Sequence, residues 1–204
     1  HQTQAAAAAE AAGVAAAEPR DFGTYQPSAA ALRIDPGEAP KIDGDIGDAV
    51  WAKARVIDEF YQLEPNEGAP ASERMEVRVL YDENQIYFAF HAFDRDPGAI
   101  KASVKSRDGN LSQDDLVRIY LDPYKTRRDG YIFEVNPLGA RFDGLLQNNT
   151  DILAEWNTIW HAHGRLVADG TRLVRLDGAV MGARRRMLYN GVVLASLAVD
   201  SAGK

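Results

Sequence analysis

The chain has 204 residues, 46% of them hydrophobic, a formal net charge of −7 and no cysteine. That length holds one full domain with additions. The acidic balance argues against a general nucleic-acid surface, and the missing thiols exclude disulfides, thiolate zinc sites and cysteine nucleophiles together.

Residues 1 to about 32, opening "HQTQAAAAAEAAGVAAAEP", are Ala-rich and nearly free of large apolar side chains. A helix without an apolar stripe has nothing to bury, so a disordered leader or linker is expected, with a frayed helix as the alternative. The stretch looks like a new N-terminus left by signal-peptide cleavage, and it raises the expectation of export; an excised boundary is the competing reading.

From Leu32 to about Trp160 the texture changes to short apolar runs punctuated by turns. "DIGDAVWAKA" is the one helical turn, with Asp45 or Asp48 as cap and Val50, Trp51 and Ala54 on one face. Trp51 is therefore expected to anchor the core. "MEVRVLYD" alternates Met75, Val77, Val79 and Tyr81 against Glu76, Arg78 and Leu80, as a half-buried strand does. "QIYFAFHAFD" is apolar on both faces, as a central strand covered on both sides would be. The intervening "DEN" suits a hairpin. "LVRIYLD" and "GYIFEVN" add two strands around the polar loop "PYKTRRD". The spacing of these turns predicts an all-β, antiparallel sandwich of jelly-roll-like form.

Beyond residue 161 the composition shifts. Residues 162–204 hold 7 Lys/Arg against 3 Asp/Glu, whereas the first 161 hold 16 against 27. Tyr189 is the sole aromatic of this tail. Two hairpins are expected in it, turning at Asp169-Gly170 and Asn190-Gly191. The expected division is thus a leader over 1–32, a sandwich over 33–161 and a basic β-hairpin tail over 162–204.

Several residue groups invite chemistry. Asp114 and Asp115 stand just before "LVRIYLD", and Asp94 and Asp96 lie in "DRDP". Carboxylate oxygens can hold Ca²⁺, so these are candidates for a structural calcium, but the spaced pattern of an EF-hand loop is absent. A polar turn capped by Asp is the plainer reading. A glycosidase would need two carboxyls flanking a cleft, and nothing pairs them with one. No catalytic residue is expected. Trp156 and Trp160, four apart in "EWNTIW", are sugar-stacking or core candidates. His161 and His163 would share one face of a strand but lack a third metal ligand. Arg184–Arg186 is too brief to argue for RNA, and Ser196 and Ser201 lack a nucleophile-elbow context.

"PKIDGDIGDAVWAKA", then "MEVRVLYDENQIYFAFHAFDRDP" and "DDLVRIYLDPYKTRRDGYIFEVNPLGARFDG", resemble the family 9 carbohydrate-binding modules over residues 33–160. They are similar above all to the related domain at the front of large exported bacterial proteins that continue into an outer-membrane barrel. The resemblance implies a non-catalytic β-sandwich, a periplasmic or outer-membrane setting and an oligo- or polysaccharide partner. It places the family's polar sugar contacts at Arg118 and Glu134 with their charges exchanged. The first tryptophan of the family's sugar clamp falls at Ser112, and the second lies in a stretch this chain does not match. A structural or protein-interaction module that has lost sugar binding is therefore an open alternative. The tail from about 163 resembles a non-catalytic segment of ribonuclease J, whose His-x-His-x-Asp-His metal motif is absent. That likeness leaves a fragment of such an enzyme as a third alternative.

Overall fold

The computed structural model describes residues 18–25 and 27–167, together with the backbone of three later strands. The strands are β1 (Ser28–Ala30), β2 (Leu32–Arg33), β3 (Tyr61–Gln62), β4 (Met75–Tyr81), β5 (Ile86–Ala92), β6 (Val117–Leu121), β7 (Gly130–Val135), β8 (Arg141–Gln147), β9 (Asp151–Leu153), β10 (Trp160–Leu166), β11 (Arg172–Gly178), β12 (Arg185–Tyr189) and β13 (Val192–Ala198). Among the described residues one α-helical turn, α1, spans Ala49–Lys53. The larger sheet runs β1-β13-β12-β6-β7-β8-β9, with β3 also on β13; the smaller runs β10-β11-β5-β4-β2.

The period-2 pattern decides which side chains meet. Met75, Val77 and Val79 of β4 and Ile86, Phe88 and Phe90 of β5 form one apolar layer. They join Val117, Ile119 and Leu121 of β6 and Phe133 and Val135 of β7 in a single core. Alternate residues of β5 face the other way, so Tyr87 and Ala89, with Leu80 of β4, pack against Val50, Trp51 and Ala54 of α1 and its C-cap. This explains why β5 is apolar on both faces. Trp51 is buried as expected, but in this second core behind the smaller sheet rather than between the sheets. Asp48 stands at the helix N-cap, yet its carboxylate accepts from the Lys41 N–H at 2.9 Å instead of capping. The "DEN" turn closes as expected, with Asp82 Oδ1 accepting the Asn84 and Gln85 N–H groups at 2.7 and 2.8 Å.

Three features depart from the sequence reading. The pairings β1 with β13 and β2 with β4 are parallel, in an otherwise antiparallel structure. Residues 18–32, assigned to the leader by composition, are partly built in. The Arg20 N–H donates to the Gly68 carbonyl at 2.8 Å, Arg20 Nε donates to the Tyr61 hydroxyl at 3.0 Å, and the Tyr25 ring meets Tyr61 edge-on at 5.4 Å. A few long-range contacts hold this strap, which local composition does not encode. Residues 1–17 lie outside the described residues. Finally, the boundary drawn at 162 falls within β10, and the strands beyond it enter both sheets: β11 pairs with β5, and β12 with β6. The expected hairpins appear as the pairings β10–β11 and β12–β13. Their turns at Asp169-Gly170 and Asn190-Gly191, and Arg184 and Ser201, lie outside the described residues, as do the side chains of Arg185, Arg186 and Ser196.

Candidate functional site

The acidic pair before β6 performs loop chemistry. Asp114 is buried, and its carboxylate accepts from Ser103 N at 2.9 Å, Ser103 Oγ at 2.8 Å, Val104 N at 3.0 Å and Asn136 Nδ2 at 2.8 Å. Burial pushes its pKa up, but the donors on Val104, Asn136 and Ser103 outweigh that and bring it from 3.8 down to about 2. Asn136, fully buried at the end of β7, also donates to the Val104 carbonyl at 2.7 Å and accepts the Ala140 N–H at 2.8 Å. Asp115 accepts the Lys101 N–H at 2.8 Å. Together they fasten residues 101–104 to the sheet.

The calcium candidates do not converge. Four donors occupy the Asp114 oxygens, and Asp94 accepts the N–H of Asp96 in a turn of its own. Among the described residues no group of three or more His, Asp or Glu side chains is placed to hold a metal ion. His161 and His163 are exposed at alternate positions of β10, on one face as their spacing dictates.

Trp160, at the start of β10, is only 2% exposed and meets Phe133 edge-on at 5.1 Å. Its Nε1–H donates to Asp143 Oδ1 at 2.9 Å. Asp143, fully buried on β8, also accepts from Arg107 at 2.8 Å and from the Thr158 N–H at 2.7 Å. Trp160 therefore anchors the core and offers no ring face to a sugar. Trp156 is half-buried on the same side, against Tyr131 at 4.8 Å and edge-on to Phe133 at 6.4 Å.

The opposite face of the larger sheet carries the other two candidates. Because successive residues of a strand point to opposite sides, Glu134 faces away from Phe133 and the core. Glu134 stands directly across from Arg118, and Arg118 Nε donates to Glu134 Oε1 at 2.5 Å. Glu134 is 7% exposed, while the Arg118 side chain keeps 35%. Burial raises the Glu134 pKa, and the guanidinium opposes that rise. Tyr120 pairs with Ile132, and Phe142 with Glu134, on this same face. Gly144 is closely covered on this face: a Cβ there would lie 3.0 Å from Ile152 Cγ2 and 3.2 Å from Ile132 Cγ2. A part-exposed guanidinium braced by a buried carboxylate, with a phenol and a phenyl ring on the same face, can hydrogen-bond and pack a small polyhydroxylated molecule.

The structure thus divides the four candidate ligand residues between two faces. Arg118 and Glu134 come together; Trp156 and Trp160 lie behind them, through the sheet. Ser112 is exposed in its loop, its N–H bonded to Asn110 Oδ1 at 3.0 Å. Sequence reasoning missed Asp143, Asn136 and Arg107, because nothing in a lone Asp, Asn or Arg reveals partners tens of residues away.

Comparison with known proteins agrees with this architecture. Residues 42–141 match the family model described as carbohydrate family 9 binding domain-like. A Bacteroides uniformis protein proposed to bind carbohydrate is similar with a TM-score of 0.60 at 10% identity, over 88% of this chain and 94% of that one. A family 9 carbohydrate-binding module from Caldicellulosiruptor kristjanssonii, in complex with cellotriose, is similar with a TM-score of 0.56 at 14% identity, over 87% and 96%. The same module with glucose gives 0.56 at 15% identity, over 87% and 98%. No curated protein matches the chain. The sandwich is therefore a family 9-like module in fold. The family match ends at residue 141, and the likeness of the tail to ribonuclease J expected from the sequence is not shown.

Proposed function

We propose that this sandwich is a non-catalytic carbohydrate-recognition module of an exported protein of the periplasm or outer membrane. The observation that carries the reading is the outward-facing Arg118–Glu134 pair, in register on β6 and β7 inside the stretch that matches the family. The Arg118 guanidinium, braced by the buried Glu134, can donate hydrogen bonds to sugar hydroxyls, and Tyr120 and Phe142 supply packing surface beside it. The resemblance to the front domain of large exported barrel proteins supports export, and an outer-membrane barrel of the parent protein is the fitting partner. The lack of an aromatic platform at Ser112 favours a second reading, a protein-interaction sandwich.

Calorimetric titration of the whole chain with a panel of neutral oligosaccharides separates the two. Saccharide binding that weakens about tenfold in Arg118→Ala and Glu134→Gln, a loss of about 1.4 kcal/mol, supports the first. Absence of binding across the panel, or binding indifferent to both substitutions, rejects it.

A further inference from the structure

Two of the chain's eight asparagines stand two residues before a hydroxyl side chain, Asn110 with Ser112 and Asn148 with Thr150. That spacing is the acceptor pattern for N-linked glycans on exported proteins. The bacterial transferases of this class add a requirement for a carboxylate two residues before the asparagine, which pairs with a guanidinium of the enzyme. Asp108 supplies it to Asn110, whereas Leu146 stands there for Asn148. The structure presents the selected stretch in the loop before β6, with Asp108, Asn110 and Ser112 all exposed. Gly109 and Leu111 face the other way. A Cβ on Gly109 would stand 2.5 Å from Val104 Cγ1, and Leu111 is only 3% exposed. The Ser112 N–H donates to Asn110 Oδ1 at 3.0 Å, so this turn engages the amide oxygen and leaves the nitrogen on an exposed side chain. Asp108 Oδ2 meets Arg107 only at 3.5 Å and Asn157 Nδ2 at 3.4 Å, both long contacts.

We propose that Asn110 is an acceptor for an N-linked glycan, read by a bacterial oligosaccharyltransferase through Asp108 and Ser112. The donor is a polyprenyl-diphosphate-linked oligosaccharide. Asn110 Nδ2 forms a bond to C1 of the leading sugar, and the C1–O bond to the diphosphate breaks. Polyprenyl diphosphate leaves with that electron pair, the amide proton passes to a carboxylate of the transferase, and nothing is oxidised or reduced. No strand ladder runs through residues 108–112, so the stretch can lift into an enzyme cleft more readily than a paired strand could. The inference draws on the exported setting proposed above, not on saccharide binding by the outward face.

The purified whole chain is incubated with a bacterial oligosaccharyltransferase, Mn²⁺ and an undecaprenyl-diphosphate-linked oligosaccharide, then read by intact mass and peptide mapping. A single glycan on the peptide containing Asn110 is expected. Asp108→Gln and Ser112→Ala should each lose that mass increment, and Asp108→Glu should keep it. Ser112→Ala retains the backbone N–H that bonds to Asn110, so its loss reports the missing hydroxyl and not a broken turn. Transfer to Asn148, or transfer indifferent to Asp108→Gln, overturns the assignment. An unmodified chain in a mixture that glycosylates a free peptide of residues 106–114 overturns it too, because the folded loop then withholds the motif. Failure of that peptide beside a reactive standard acceptor rejects the motif itself. None of these outcomes bears on the Arg118–Glu134 face, which the calorimetric titration tests separately.

Discussion

Asp114 carries more of the loop architecture than its place in a polar turn suggests. Its four donors come from Ser103, Val104 and Asn136, residues 10 to 22 positions away. An amide at this position would turn N–H groups toward donors, so Asp114→Asn is expected to cost about 1–3 kcal/mol in denaturant unfolding. The pH dependence comes from a folded pKa held near 2 against an ordinary 3.8. The carboxylate's stabilisation is present above the ordinary value and is lost as pH falls from about 4 towards 2. Unfolding free energies measured from pH 7 to pH 2 should show this acid loss in the wild type, and Asp114→Asn should flatten it. The sequence disclosed that Asp114 belonged to a turn, because the adjacent strand pattern was plain. It did not disclose the burial, because the partners arrive from another loop and from the end of β7.

At the scale of elements, hydrophobic period was the most legible signal. The alternation in "MEVRVLYD" and the two-sided apolarity of "QIYFAFHAFD" specify β4 and β5, and the second face of β5 explains the need for α1. Trp51→Ala should remove the largest side chain of that rear core and cost about 3–5 kcal/mol, read as a fall in the denaturation midpoint with the slope unchanged. The strap at residues 18–25 was illegible, since its attachment is a backbone hydrogen bond, an Arg20–Tyr61 hydrogen bond and a Tyr25–Tyr61 ring contact. Gly68 makes that attachment possible: its φ is +77°, and a Cβ there would stand 1.9 Å from the Arg20 carbonyl oxygen. Gly68→Ala should therefore displace the strap, exposing residues 18–25 to limited proteolysis while β4 and β5 stay protected from hydrogen exchange.

For the whole molecule, the antiparallel sandwich could be read from turn spacing, whereas the side of each sheet that a candidate residue occupies could not. Arg118 and Glu134 meet because β6 and β7 are in register, and a residue shifted by one along its strand would have pointed into the core between the sheets instead. Residue type groups Trp156 and Trp160 with them, yet Trp160 starts a strand and its indole is claimed by Asp143. The composition break at 162 was real in charge, but backbone pairing carries the later strands into both sheets, through β5 and β6.

Saccharide recognition by the outward face of β6 to β8 can be read residue by residue in backbone and side-chain NMR. With saturating oligosaccharide, perturbations are expected to cluster at Arg118, Tyr120, Glu134 and Phe142 and to fade in Glu134→Gln. Saturated binding that leaves those four residues unmoved would contradict it.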